Sequence, residues 1–421
     1  MTHDRASLGL RQLGAVVAGN ALEFYDFLTF SFFAVQIGAV FFPGQGTTGS
    51  LLLTLATFGV GFLTRPLGGV VIGTLGDTWG RKPAMLFSFC LMGASVVGLA
   101  LTPSYASIGI AAPLMAVLFR LMQGFALGGE VGPTTAFLLE SAPVHRRGLY
   151  VSLQNATQYF STLCAGVVGL VLASTLTPAQ LTAWGWRIAL LLGAGVVPFA
   201  VVIRRRLPEM LHETSINPAR WRGPVGGLLR LAVLSFAMLA AATIATYTMN
   251  YMSTFAIHTL GMPPQRAFIA TMAAGGAAML GALCGGAASD RLGRKPVMIA
   301  GALALIAIGL PCFMAMVQTR TVGMLVAGSA AMSFCVGLFV GPAMASITES
   351  LPRGLRAGSV GILYALAISS FGGSAQFLVT WLIDVTGSPL APAWYMTGAM
   401  LLGLFGMIGM RESAPVRYRA G

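Results

Sequence analysis

Long apolar runs alternate with short polar segments along the whole chain. A transmembrane helix needs about 20 mostly apolar residues, because the hydrocarbon core is about 30 Å thick and a helix rises about 1.5 Å per residue. Since a helix satisfies its own backbone hydrogen bonds in lipid, the pattern predicts an all-α integral membrane protein with twelve transmembrane helices. The predicted spans are 13–42, 51–76, 83–102, 108–138, 149–176, 185–203, 229–257, 265–289, 297–317, 321–348, 358–385 and 392–410.

Composition agrees with this class. Of the 421 residues, 56% are hydrophobic and only 9% are charged, against about 25% charged residues in a soluble domain. The five cysteines lie in apolar runs without metal-ligand or disulfide-like spacing, so we expect packing roles, no metal and no cofactor. Polar residues 1–12 lead into the first span without a small-residue cleavage site, which indicates that this span is retained.

The net charge of +13 predicts topology rather than nucleic-acid binding. If the amino terminus is cytoplasmic, the outer segments hold only Arg187, Arg266 and Arg320, and nearly all other basic residues lie in inner segments. By the positive-inside rule, both termini are then cytoplasmic, and the protein spans a plasma membrane, the inner membrane of a bacterium, many times.

The two halves of the chain repeat a motif. GTLGDTWGRKPAM begins at Gly73 and GAASDRLGRKPVM at Gly286; LLESAPVHRRG around Glu140 matches ITESLPRGLRAG around Glu349. Duplicated six-helix halves are typical of a carrier with its binding site between the repeats. The predicted domains are an amino-terminal half, 1–203, a cytoplasmic linker, 204–228, and a carboxy-terminal half, 229–421.

The repeated G-x-x-x-D-x-x-G-R-K loop resembles that of the major facilitator superfamily. Within it, four further segments resemble the metabolite:proton symporters, whose members carry citrate, other carboxylates, shikimate, proline or betaine. These segments are GNALEFYDF at 19–27, FLTRPLGG at 62–69, RLMQGFALGGEVG at 120–132 and the E-x-x-P-x-x-R-R-G run from Glu140. The resemblance implies the superfamily's twelve-helix fold and proton-coupled transport by alternating access.

Once the charges at span ends, such as Arg187, Arg266 and Asp384, are set aside, five charged residues remain inside predicted spans: Arg65, Arg120, Glu23, Asp26 and Glu130. Each costs roughly 2.5–3.5 kcal/mol at a helix centre, so we expect them to face an interior cavity. The arginines are candidate ligands for a substrate carboxylate, although Arg65 paired with an acid is an alternative structural role.

The acids are the candidates for proton coupling, because a nearby arginine and an arriving anion change how readily a buried carboxyl ionises. Glu23 and Asp26 are one helical turn apart, so both cannot ionise easily in a dry cavity. We hypothesise that Asp26 neutralises an arginine in the empty site and Glu23 carries the proton, or the reverse. Asn20, Tyr25 and Gln123 are assigned to the same binding site because they neighbour these charges.

Helix five carries three amides in the sequence SLQNATQYF, namely Gln154, Asn155 and Gln158. They either tie helices together or bind ligand oxygens, and the Q-x-A-T-Q pattern resembles that of the citrate and tricarballylate carriers. The second half adds Tyr247, Asn250, Tyr251, Tyr364, Ser369, Ser370 and Gln376. The predicted substrate is therefore a small di- or tricarboxylate such as citrate, with a zwitterion or a shikimate-like acid as the alternative.

The repeated loops are predicted to act as latches that close the cytoplasmic side in the outward-open state. An aspartate there caps a neighbouring helix and an arginine pairs with an acid of the second motif. The residues are Asp77, Arg81, Glu140, Asp290, Arg294 and Glu349.

The sequence fits other functional classes less well than it fits a proton-coupled importer. An enzyme would need a nucleophile with its base or a metal cluster, yet all four histidines lie in loops or at span ends. A channel would not need latch loops, whereas a proton-driven exporter has the same fold and remains an alternative. The expected partners are the organic acid, protons and the lipid bilayer, without nucleic acid, and a monomeric state is expected.

Overall fold

The computed structural model describes residues 20–21, 24–79, 81–128, 131–195, 225–351 and 353–415, and these are almost entirely helical. We number the membrane helices α1 to α12 after the predicted spans, with a and b for the parts of an interrupted span. The helices are α1a Phe24–Phe32, α1b Ala34–Phe41, α2a Gly46–Leu63, α2b Arg65–Thr78, α3 Arg81–Leu101, α4a Ala111–Leu127, α4b Val131–Ser141, α5 Arg147–Thr175, α6 Trp186–Ala194, α7 Val225–Asn250, α8 Pro264–Leu292, α9 Arg294–Thr319, α10 Val322–Ser350, α11a Arg353–Ala367, α11b Gly373–Thr386 and α12 Ala391–Gly409.

The helices lie where the hydropathy pattern predicts them. Among the described residues, eight helical stretches are long and apolar enough to cross a membrane, and the bent pair α1a and α1b makes a ninth. Two shorter apolar helices, Leu86–Leu101 and Ala111–Leu127, fall within predicted spans three and four. The prediction of a twelve-helix, all-α membrane protein is confirmed, while most of the predicted linker 204–228 lies outside the described residues, with α7 beginning at Val225.

Four spans are interrupted, and the breaks in α1, α2 and α11 lie at described residues near the candidate site. The two parts of α1 meet at Phe33 with a bend of 69°. α2 breaks at Thr64, where Pro66, which lacks an N–H donor, occupies the first turn of α2b. α11 contains a π-helical turn at Ile368–Gly372. The break in α2 places Arg65 at the start of α2b. The π-helical turn of α11 lies beside α2.

Two seams hold the halves together. α5 and α8 approach so closely that a Cβ at Gly166 would overlap Met272, and one at Gly286 would overlap Ser152. α2a and α11b meet at Gly59 and Gly373, whose backbones are in direct contact. Small residues permit this approach, as is usual between membrane helices. The space between the halves is therefore flanked by two tightly packed helix pairs.

Hydrogen bonds join the halves at both ends of the bundle. At the end that carries Asp290, called the basic end below, the Asp290 carboxylate accepts hydrogen bonds from the backbone N–H groups of Gly148 and Leu149, at 2.8 and 2.9 Å. At the opposite end, the Gln265 side-chain amide donates to the Ala173 carbonyl at 2.6 Å. The two halves are thus hydrogen-bonded to each other at both ends of the bundle.

Candidate functional site

Two buried arginines of the first half lie among phenylalanine rings. Arg120, on α4a, is fully buried, with its guanidinium carbon 4.2 Å from the ring centroid of Phe27, 4.7 Å from Phe30 and 4.8 Å from Phe58. Arg65 lies 4.4 Å from the centroids of both Phe27 and Phe62. A desolvated cation–π contact contributes about 2 kcal/mol, so the rings offset much of the cost of holding these charges in the membrane. We call these two arginines and four phenylalanines the arginine cluster.

The arginine cluster has unused hydrogen-bond donors. Arg120 donates to the Gln123 side-chain oxygen at 2.6 Å and makes longer contacts, at 3.5 Å, with the carbonyls of Phe27 and Phe58. The Nε atoms of both arginines, Nη2 of Arg65 and Nε2 of Gln123 are buried without a partner. Buried donors are normally satisfied, so this group suits an incoming acceptor, and a carboxylate matches the guanidinium fork.

Asp26 does not pair with either arginine. Its side chain is only 2% exposed and its Oδ1 atom has no hydrogen-bond partner. The Asp26 carboxylate faces α6 at Gly193, whereas the next residue, Phe27, faces the arginines. Successive residues on a helix point about 100° apart, which explains the separation. The expected ion pair between Asp26 and an arginine is therefore not formed in this structure.

A cavity of about 50 Å³ lies between the halves. A single water needs roughly 10–15 Å³ of such space, so the cavity holds a few waters and is too small for a tricarboxylate without further opening. Its walls come from α1, α5, α7, α10 and α11. The lining is Phe24, Leu28, Asn155, Gln158, Tyr159, Thr162, Met238, Leu239, Ala242, Thr243, Thr246, Tyr247, Asn250, Val340, Ala343, Met344, Tyr364 and Ile368.

Tyr247 connects the cavity to the arginine cluster. Its ring lines the cavity and also packs on Phe58 and Phe62, with centroids 6.2 and 5.4 Å apart. Phe58 and Phe62 in turn contact Arg120 and Arg65. A thin aromatic layer thus separates neutral polar groups in the cavity from the two positive charges.

The structure brings eight of the predicted binding residues together in two sets. Five line the cavity: Asn155, Gln158, Tyr247, Asn250 and Tyr364. Arg65, Arg120 and Gln123 belong to the arginine cluster or contact it.

A third set of predicted binding residues lies away from the cavity, and four of these five residues bond to protein groups there. Asn20 donates to the Gln154 carbonyl and the Thr157 hydroxyl, the Gln154 side chain accepts from Thr135, and Tyr25 donates to the Ala189 carbonyl. Tyr251 accepts from Thr380. Ser370 lies in the π-helical turn of α11, is exposed and does not line the cavity. Glu23 and Glu130 lie outside the described residues.

The predicted latch residues lie at the basic end. Arg294 forms ion pairs with Asp290 at 2.7 Å and with Glu349 at 3.1 Å. Glu140 pairs with Arg356 of α11a at 3.1 Å, which links the two halves a second time. The side chains of Asp77 and Arg81 lie outside the described part.

Glu412, which follows α12, caps α9. Its carboxylate accepts hydrogen bonds from the backbone N–H groups of Arg294 and Lys295, the first residues of that helix, at 2.8 and 3.0 Å. Burial disfavours the Glu412 carboxylate, but backbone donors of Ala414, Arg294, Lys295 and Ser413 outweigh that effect and hold its pKa below the usual range. The contribution of this cap to stability is present near neutral pH and is lost as the pH falls through the lowered pKa.

Sequence reasoning missed three groups at this site. The phenylalanines of the arginine cluster do not stand out in apolar runs. The high density of aromatic residues in FYDFLTFSFF could have indicated a site for a buried cation. Arg356 was counted only as a topology charge, and Glu412 follows the last span without a motif. Tyr159, Thr162 and Thr246 in the cavity became recognisable only once α5 and α7 were seen side by side.

The geometry defines a class: a membrane carrier with two linked halves, a central cavity and ion pairs at one end. Residues 24–375 match the Major Facilitator Superfamily, and the chain belongs to that superfamily. It is therefore a multi-pass membrane transporter and not an enzyme.

Curated relatives share most of their length with this chain. It is 32% identical over 415 residues to a citrate-proton symporter of Klebsiella pneumoniae, covering 95% of this chain and 92% of the relative. It is 35% identical over 400 residues to an alpha-ketoglutarate permease of Escherichia coli (strain K12), covering 92% and 91%. It is also 31% identical over 426 residues to a proline/betaine transporter of Salmonella typhimurium, covering 96% and 84%.

Among solved structures, a D-xylose-proton symporter has the same fold. The TM-score is 0.76 with 18% sequence identity, over 96% of this chain and 98% of that chain. At this identity the likeness confirms the fold alone.

Proposed function

We propose that the protein takes up a small organic acid, a di- or tricarboxylate such as citrate, together with protons by alternating access. The observation that carries this proposal is the arginine cluster, in which two buried guanidinium groups have unused donors and no carboxylate partner among the described residues. A carboxylate reaching Arg120 would exchange weak ring contacts for charge-assisted hydrogen bonds.

The cavity supplies the rest of the proposed site. Gln158, Asn155 and Asn250 offer amide groups to further substrate oxygens, and Tyr247 lies between them and the arginines. A citrate-sized ligand would require Tyr247 and the phenylalanines to part, which happens if the α2–α11 seam opens. The citrate-proton symporter and the alpha-ketoglutarate permease among the relatives support an acidic substrate.

Proton coupling is assigned to the acids of the first helix and to Glu130. Asp26 is the described member of this set, and its unpaired, buried carboxyl supports a proton-carrying role. The ion-pairing role for Asp26, with Glu23 as the proton carrier, stays a hypothesis for another conformation of the carrier.

A zwitterion carrier is the second candidate. The relative that transports proline and betaine, and the neutral amides and hydroxyls of the cavity, favour it. A shikimate-like acid and export instead of uptake remain further alternatives. We also propose a monomer in the inner membrane with the basic end and both termini facing the cytoplasm.

A thermal-shift screen separates the substrate classes. We expect citrate or another di- or tricarboxylate to raise the melting temperature of the purified carrier, while proline, betaine and shikimate do not. The Arg120→Ala variant should lose this shift, because the anion binds to its guanidinium. Stabilisation by proline or betaine alone would replace the carboxylate proposal with the zwitterion candidate.

The latch role gives a separate prediction. Asp290→Asn weakens the acceptor for the Gly148 and Leu149 N–H groups and the ion pair with Arg294, so it loosens the closed basic end. We expect transport turnover to fall several-fold while equilibrium substrate affinity in detergent changes by less than about twofold, since the latch does not touch the cavity. A large loss of affinity with unchanged turnover would contradict this role. Asp384→Asn, an exposed change at the opposite end, is the control.

A further inference from the structure

Gly193 makes room for the Asp26 carboxylate. A Cβ placed on Gly193 would overlap Oδ1 of Asp26, and it would also come within 3.0 Å of the Tyr25 ring. The oxygen that occupies this position is buried and has no hydrogen-bond partner. The absence of a side chain at position 193 is therefore what lets Asp26 point towards α6.

The first and sixth helices are held in this arrangement by Tyr25. Its hydroxyl donates to the carbonyl of Ala189, one helical turn before Gly193, at 3.2 Å. The niche between α1a and α6 is thus bounded by Tyr25, Ala189 and Gly193. Asp26 is not among the residues that line the central cavity.

Among the residues that the structure describes, few other titratable groups face this niche. On its own helix Asp26 has Tyr25 as neighbour, and Cys164 of α5 lies near the Tyr25 ring. The charged residue of α6, Arg187, is engaged by the carbonyls of Ala100 and Thr102, at 2.6 Å each. Arg120 of α4a lies over the ring of Phe27, on another face of α1a.

We propose that Gly193 is a positioning residue for proton coupling: it opens a niche between α1a and α6 in which the Asp26 carboxyl is held apart from the substrate cavity. This inference rests on the proposed proton-coupled function. In the niche, an O–H bond of Asp26 forms with a proton taken from solvent on one side and breaks to return it to solvent on the other. The substrate and the proton then occupy separate places in the first half of the carrier.

The test is Gly193→Ala in reconstituted vesicles. We expect substrate accumulation driven by a pH gradient to fall about tenfold, the size of a one-unit change in proton affinity, while counterflow exchange of labelled citrate changes less than about twofold. Gly195→Ala, two residues further on, meets only ordinary contacts and should behave like the unmodified protein. Proton movement is measured with a pH dye trapped inside the vesicles. A purely structural role for Gly193 would lower proton movement and counterflow together, whereas the proposed role lowers proton movement alone.

A double variant guards against simple misfolding. Asp26→Ala removes the carboxylate and leaves only the Tyr25 ring against the new methyl group, so Gly193→Ala should lower the melting temperature much less in the Asp26→Ala background than it does alone. If the two changes destabilise independently, or if Gly193→Ala accumulates substrate normally, the inference is overturned. Loss of gradient-driven accumulation in Asp26→Asn alongside normal Gly193→Ala would reject the niche and leave the proposed function standing.

Discussion

Arg120→Ala is expected to abolish substrate transport while the protein still inserts and folds. Removing the guanidinium takes away the positive charge and the donors at the centre of the arginine cluster, so a bound carboxylate loses a desolvated partner. Truncating one partner of such a buried pair costs about 2 kcal/mol or more, which corresponds to an affinity loss of about thirtyfold or greater. Uptake of labelled citrate and ligand-induced thermal shift measure the two consequences.

Two variants control for this result. Arg120→Lys keeps the charge but not the planar fork, so we expect partial transport with weakened affinity. Arg266→Ala removes an exposed charge at the opposite end and should leave uptake unchanged. Near-normal uptake of every tested carboxylate by Arg120→Ala would exclude Arg120 from the binding site.

Asp26→Asn is expected to abolish accumulation driven by a pH gradient and to spare counterflow of substrate. The amide mimics the protonated carboxyl, so the carrier can still exchange substrate across the membrane, but a proton gradient can no longer drive accumulation. Measuring accumulation and counterflow on the same vesicles separates the loss of proton coupling from the loss of substrate transport. Glu23→Gln is the companion variant, because the two acids lie one turn apart in the sequence.

The pair of variants also assigns the roles. If Glu23→Gln loses accumulation and Asp26→Asn retains it, Glu23 carries the proton and Asp26 has a structural role. If both retain gradient-driven accumulation, the acids of the first helix are structural, and either Glu130 provides the proton path or proton coupling must be dropped.

The fold was predictable because a bilayer imposes a helix length that a sequence must match. Apolar runs bounded by polar loops located α5, α8 and α10 to within a few residues. The bend at Phe33 was not predictable, since FLTFSFFAV contains neither proline nor glycine at that point. Phe33 packs on Phe268 of α8, in the other half, with ring centroids 4.9 Å apart, and the local sequence does not encode such a contact.

The site was predictable only in part. Arg65 and Arg120 stand out because charge inside a span is costly, and both prove to be buried together. Their stacking on phenylalanines depends on how α1, α2 and α4 are rotated about their axes. A rotation of about 100°, the angle between successive residues, would bring a different side chain against each guanidinium. For the same reason, Asp26 was expected beside an arginine but faces Gly193 instead.

The amides show the same limit. Gln154 and Gln158 are four residues apart and share one face of α5, yet Gln158 lines the cavity and the Gln154 side chain accepts a hydrogen bond from Thr135. Spacing identified the face of the helix, whereas the neighbouring α4b decided which amide remained available. Sequence therefore predicts which residue types are present near the cavity better than it predicts which of them bind a ligand.

The most direct test of proton-coupled acid uptake uses vesicles that contain the purified carrier, an alkaline interior and labelled citrate outside. The account predicts that citrate accumulates above its external concentration and that a protonophore returns it to equilibrium. It also predicts that an equal concentration of proline does not compete with citrate. Equal uptake with and without the pH gradient, or accumulation of proline in place of the acid, would contradict the account.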